Sequence, residues 1–126
     1  MPLKDRTARA AYHKAYMRDR LAADATFKAK HLARVRTNTA NDRKAVATVL
    51  AAFRANGCRV CGELDACCLV AHHVDPSTKL FTIGRTTRRV PAVRAELAKC
   101  VCVCHNCHSK IHAGRVTCPL IIPAPL

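Results

Sequence analysis

An α+β fold, with a small domain behind a basic helical N-terminal segment, is what this 126-residue sequence predicts. Three observations predict it. Residues 1–40 carry helical periodicity dense in Lys and Arg, and a second helical pattern follows. Two short apolar runs, residues 69–74 and 100–104, read as strands, the second alternating with period two. Two CxxC pairs, Cys58–Cys61 and Cys104–Cys107, have residues 62–103 between them, a gap of 42. The length suits one domain with an arm: residues 1–40 as the basic arm, and 41–126 as the domain, with its motifs in 58–115. Three Phe, two Tyr and no Trp allow only a modest core, which calls for a staple.

Charge sets the partner. Lys and Arg number 22 against eight Asp and Glu, a formal +14. Residues 1–57 hold thirteen against four and residues 58–126 nine against four, so both parts are basic. A surface this positive implies a polyanion, nucleic acid first. Nine cysteines raise the alternative of a secreted disulfide framework. The odd count and the start Met-Pro-Leu-Lys-Asp-Arg, without an apolar leader, point instead to metal-bound thiolates in a reducing cytoplasm. The apolar run at 119–126 is far shorter than the roughly 18 residues a membrane span needs.

Along the arm, Tyr12, Tyr16, Met17 and Leu21 form a stripe that Phe27, Leu32 and Val35 continue more weakly. This segment suits either a solvated helix or an arm along DNA phosphates. Residues 37–41, Thr-Asn-Thr-Ala-Asn, read as a break. A better helix then starts at Asp42, with Val46, Val49, Leu50 and Phe53 as core positions and Asn56-Gly57 as the stop. Asp75-Pro76 ends the first strand as a turn. A basic connection follows, Pro91 opens a short helix, and a last helix over 106–113 is closed by Gly114. The tail from Val116, with its prolines, is expected to drape over the domain.

The CxxC pairs predict a structural Zn²⁺ held by Cys58, Cys61, Cys104 and Cys107. Such a gap makes the metal tie together the two ends of a fold. Cys67, Cys68, Cys100, Cys102 and Cys118 are expected to be small buried hydrophobes. A four-thiolate zinc has no open position, so chemistry falls to histidines. His72 and His73 are neighbours on a strand and point to opposite faces, whereas His108 and His112 share one face of a helix. Strand, connection, strand, helix, with His on the first strand and the last helix, is the ββα-metal arrangement. His13, His31 and His105 read as surface residues.

The residues Cys58-x-x-Cys61, His72-His73-Val-Asp-Pro76, Cys104-His-Asn-Cys107-His108 and Ile111-His112-Ala-Gly114 resemble the HNH endonucleases, particularly bacterial and phage members. The likeness covers about half the chain. It implies that His73 is the general base and that His72 and His108 ligate one divalent cation. That ion would be Mg²⁺ or another such as Mn²⁺ or Ni²⁺, and His112 would assist. Many members carry an Asn five residues before the third Cys, where it holds the connecting loop and orients the base. Lys99 stands there in this sequence, and Asn106 is the only Asn nearby. Arg85, Arg88, Arg89, Arg94 and Lys110 are candidate phosphate contacts. The expected activity is nicking or cutting of DNA with little sequence preference, and packaging proteins of a phage are conceivable partners. The alternatives are a non-catalytic zinc-ribbon protein that binds nucleic acid and a ribonuclease on the same scaffold.

Overall fold

The computed structural model describes residues 5–121, the side chain of Arg85 excepted. The chain divides into two compact units, Met1–Asn41 and Asp42–Leu126. In the first, Asp5 caps helix α1 (Arg6–Ala23) by accepting from the amides of Thr7 and Ala8. No described residue of α1 is buried. Tyr12 and Tyr16 stack at 6.5 Å, and Arg20 donates to the Tyr16 hydroxyl and lies 4.0 Å from the centre of the Phe27 ring.

Helix α2 (Ala25–Arg54) differs from expectation at both ends of the arm. The break lies at Asp24, not at 37–41. Asp24 ends α1 through its amide, which donates to Arg20 O, and its carboxylate then accepts from Phe27 N at 2.8 Å. Residues 37–41 stay helical because Thr and Asn there cost only a fraction of a kcal/mol each, roughly 0.7 at most, while Gly and Pro are absent. The Thr37 hydroxyl bonds back to Ala33 O instead of breaking the ladder.

The second unit is built on a two-stranded antiparallel hairpin. Strand β1 (Leu69–His73) pairs with β2 (Cys100–Cys104) in the register Leu69 to Cys104 and His73 to Cys100. Helix α3 (Val90–Leu97), opened by Pro91, leads into β2. Helix α4 (His105–His112) follows β2 without a linker and ends at Gly114, whose φ is +69°. With β1, β2 and α4 in that order, the unit is a small α+β fold around a hairpin.

Two apolar clusters flank the hairpin. One joins Leu69, Val101, Val103 and the buried cysteines Cys58, Cys102, Cys104 and Cys107, with Ile111 of α4 and Cys118 of the tail against them. The other joins Val46 of α2, Ile83, Val93, Leu97 and Cys100, with Val49, Leu50 and Ala71. Phe53 touches both. The four residues read as the core face of this helix therefore all pack. Gly57, just past α2, has φ +72°, and a Cβ there would lie 2.7 Å from the Glu63 carbonyl oxygen. That close approach sets the entry into the first CxxC turn.

All nine cysteines are free thiols. Among the described residues no helix is long and apolar enough to cross a membrane.

Candidate metal centres and a buried carboxylate

The four CxxC sulfurs lie within 4.8 Å of one another. The turns that bring them there are fixed by backbone. Cys58 N donates to Glu63 O, Gly62 N donates to Cys58 O, and Arg59 N donates to Cys102 O of β2. Gly62 takes φ +81°, which relieves the turn as its position suggests. Cys104, last residue of β2, caps α4 by accepting from Cys107 N.

Their chemistry calls for a cation. Burial pushes the Cys58 thiol up, but the amides of Cys61, Cys104 and Val60 outweigh this and bring it down to about 6. Burial, with the Cys104 and Cys61 sulfurs, holds Cys107 up at about 12. One thiolate forms readily, and Cys61 and Cys107 then resist ionising. Two sulfurs on a tetrahedral Zn²⁺, each about 2.3 Å away, lie ~3.8 Å apart. Cys61 and Cys104 are 3.6 Å apart. The four cysteines can therefore hold a metal ion such as zinc.

A second cluster is made of imidazoles only. His72 of β1 and His108 and His112 of α4 offer ring nitrogens within 4.8 Å of one another. Their rings stand edge to face with centroids 4.6–5.1 Å apart. His72 is 7 % exposed, His108 half-buried and His112 exposed, so the cluster opens to solvent on one side. Burial first, then the neighbouring rings, lower the pKa of His72. Burial and His112 lower that of His108. Both rings are thus biased toward the neutral form that binds metals. The Nε2 atoms of His108 and His112 are 3.3 Å apart. Two nitrogens ~2.0–2.1 Å from a tetrahedral ion sit ~3.3 Å from each other.

His73 is not in this cluster. The strand turns it to the other face, where its Nε2 lies 2.7 Å from Oε1 of Glu96 on α3. The resemblance names His72 and His108 as ligands with His112 assisting, and it is these three whose ring nitrogens lie together, whereas His73, expected as the general base beside them, faces α3. Glu96 is 1 % exposed and accepts also from Leu80 N at 2.8 Å and from Lys99 Nζ at 2.9 Å. Lys99 Nζ donates in turn to Thr78 O at 2.9 Å, which ties down the connection after β1. The Lys99 bond chiefly, helped by Leu80 N and His73 against the cost of burial, holds the Glu96 carboxyl down at about 2.

An ionised Glu96 can only accept, so His73 Nε2 carries the hydrogen and the neutral ring's lone pair is on Nδ1. A depressed carboxyl stabilises the fold above its ordinary value of 4.5, and that contribution is lost as pH falls toward about 2. Glu96→Gln should be less stable than wild type at neutral pH and approach it as pH drops through this window. Paired chemical-denaturation series check this, because acid release of metal is common to both proteins.

Glu96 was not read from the sequence. Its signal was an acid three residues after Val93, on the buried face of a short, mostly apolar helix.

The other expected site residues lie as follows. Asn106 and Lys110 are exposed on α4, and Arg94 is exposed on α3. Arg88 lies over the Phe81 ring, and Arg89 pairs with Asp42 at 3.5 Å, so neither is a bare charge. The Arg85 side chain is outside the described residues. Asp75 accepts from the amide and hydroxyl of Ser77, as a turn former does. Of the five cysteines expected to be buried, Cys100 and Cys102 are, Cys68 and Cys118 are half-buried, and Cys67 is exposed.

No family model matches the sequence, and comparison with curated proteins and with solved structures returns no match.

Proposed function

We propose that this protein is a metal-dependent endonuclease of the HNH type, hydrolysing phosphodiester bonds in DNA. The observation that carries the reading is the trio of imidazoles from β1 and α4, spaced for one cation and open to solvent, beside a four-thiol cage. The cage gathers the two CxxC turns and leaves no open position, so its role is structural. His72, His108 and His112 would hold the second cation. When bound, that ion stabilises the charge that builds on the phosphate and the departing oxygen. An all-imidazole set suits Mn²⁺, Ni²⁺ or Zn²⁺ better than Mg²⁺, which prefers oxygen ligands.

The resemblance gives the general base to His73, but its ring is turned to the other face of β1 and buried against Glu96, so the proposal rests on the trio and its cation and not on His73. Glu96 and Lys99 divide the work that the resemblance gives to an Asn. Glu96 orients the His73 ring, and Lys99 holds the connecting loop through Thr78 O. The formal charge of +14 supplies phosphate affinity, to which Arg94 and Lys110 on exposed helix faces contribute.

The test sets supercoiled plasmid and a structured RNA side by side, with wild type and His108→Ala. Wild type should cleave DNA, whereas His108→Ala should lose ~10²-fold or more in rate while keeping DNA affinity. Binding without cation-dependent cleavage would make the protein a zinc-ribbon binder. Cleavage of RNA alone would make it a ribonuclease.

A further inference from the structure

Three residues outside both metal centres, Asp65, Cys67 and Cys68, lie in the 3₁₀ turn that leads into β1. Their carboxylate oxygen and two sulfurs are within 4.8 Å of one another. The turn fixes them together: Asp65 Oδ1 accepts from Cys67 N at 3.1 Å, and Asp65 O accepts from Cys68 N at 2.9 Å. The two sulfurs are 3.8 Å apart. That is the bite expected of two thiolates ~2.3 Å from one tetrahedral ion.

We propose that Asp65, Cys67 and Cys68 form a second thiolate site, which takes a soft divalent cation such as Zn²⁺ or Cd²⁺ independently of the four-cysteine cage. Packing does not account for these thiols. Cys100 and Cys102 are each 4 % exposed and act as small core residues, but Cys67 is exposed and Cys68 only half-buried.

Two sulfurs exclude Mg²⁺ and Ca²⁺ as preferred guests. Three protein donors leave a fourth position to solvent. Cys68 directly precedes Leu69, whose partner in the sheet is the cage residue Cys104. A cation here clamps the start of β1 one residue from the register that the cage secures.

The test uses the full chain under a phosphine reductant, reconstituted with Cd²⁺ and freed of excess metal, beside a Cys67→Ser/Cys68→Ser double variant. The ultraviolet thiolate-to-cadmium charge-transfer band counts bound sulfurs and ignores imidazoles. Wild type should show a band about 1.5-fold that of the double variant, six thiolates against four. Asp65→Asn should keep the full band at saturation but need more cadmium to reach it. Equal bands in wild type and double variant would overturn the proposal. In the unsubstituted chain, cadmium should also shield Cys67 and Cys68 from alkylation, read by peptide mass. Undiminished labelling of both would overturn it even if the double variant misfolded.

Discussion

Removing the metal from the four-thiol cage with a strong chelator is expected to unfold the second unit. A structural zinc contributes on the order of 10–16 kcal/mol of apparent binding free energy at neutral pH, whereas whole domains are stable by about 5–15. The cage cysteines are also core. Cys58, Cys104 and Cys107 belong to the same apolar cluster as Leu69, Val101 and Val103, so freeing the sulfurs also loosens the packing on that flank of the hairpin. Cys104→Ser should do the same without chelator, since Cys104 ends β2, caps α4 and sits 3.6 Å from Cys61. Hydrogen exchange read at the amides of β1 and β2 checks this. Protection should vanish on chelation and return with Zn²⁺, and protection that survives in the metal-free chain would contradict the role given to the cage.

The second large effect concerns the imidazole trio. With the cage filled by zinc, His108→Ala should weaken binding of Ni²⁺ or Mn²⁺ by at least ~10²-fold, and His72→Ala and His112→Ala should do likewise. The three ring centroids are mutually 4.6–5.1 Å apart, and His108 Nε2 faces that of His112, so each ring is needed to close the set. His73→Ala should leave this affinity nearly unchanged, because its ring is bound to Glu96 on the other face of the strand. Calorimetric titration separates the two classes. Wild type should bind Mg²⁺ more weakly than either transition ion, since three imidazoles offer it no oxygen.

The sequence held much of this arrangement where spacing maps directly onto geometry. The CxxC pairs placed four sulfurs in one cage. The period-two run 100–104 is β2, and the spacing of His108 and His112 put both on one helix face. What was hidden depended on contacts between distant segments. Nothing local tells that Glu96 of α3 reaches back to His73 and Leu80, or that Lys99 ties Thr78. Alternation along β1 predicted that His72 and His73 diverge, and the resemblance paired His72 with His108; what it could not give is that His73 turns to Glu96 of α3.

At residues 37–41 the capping residues Thr and Asn suggest a stop that the helix does not make. They are equally tolerated inside a helix when no Gly or Pro accompanies them. Asp24 was overlooked for the converse reason: one Asp among alanines caps α2 without any sequence break to announce it. Cys67 and Cys68 read as core by composition, and their exposure follows from the turn that Asp65 imposes.

The most direct measurement is nicking of supercoiled plasmid by the zinc-loaded chain over a series of Mn²⁺ concentrations, with wild type and His108→Ala in parallel and the added cation then stripped by a weak chelator that spares the cage. Wild-type cleavage should rise with Mn²⁺ and stop on stripping, and His108→Ala should be slower by ~10²-fold or more. Equal cleavage by both proteins, or none by wild type at any cation concentration, would contradict the account.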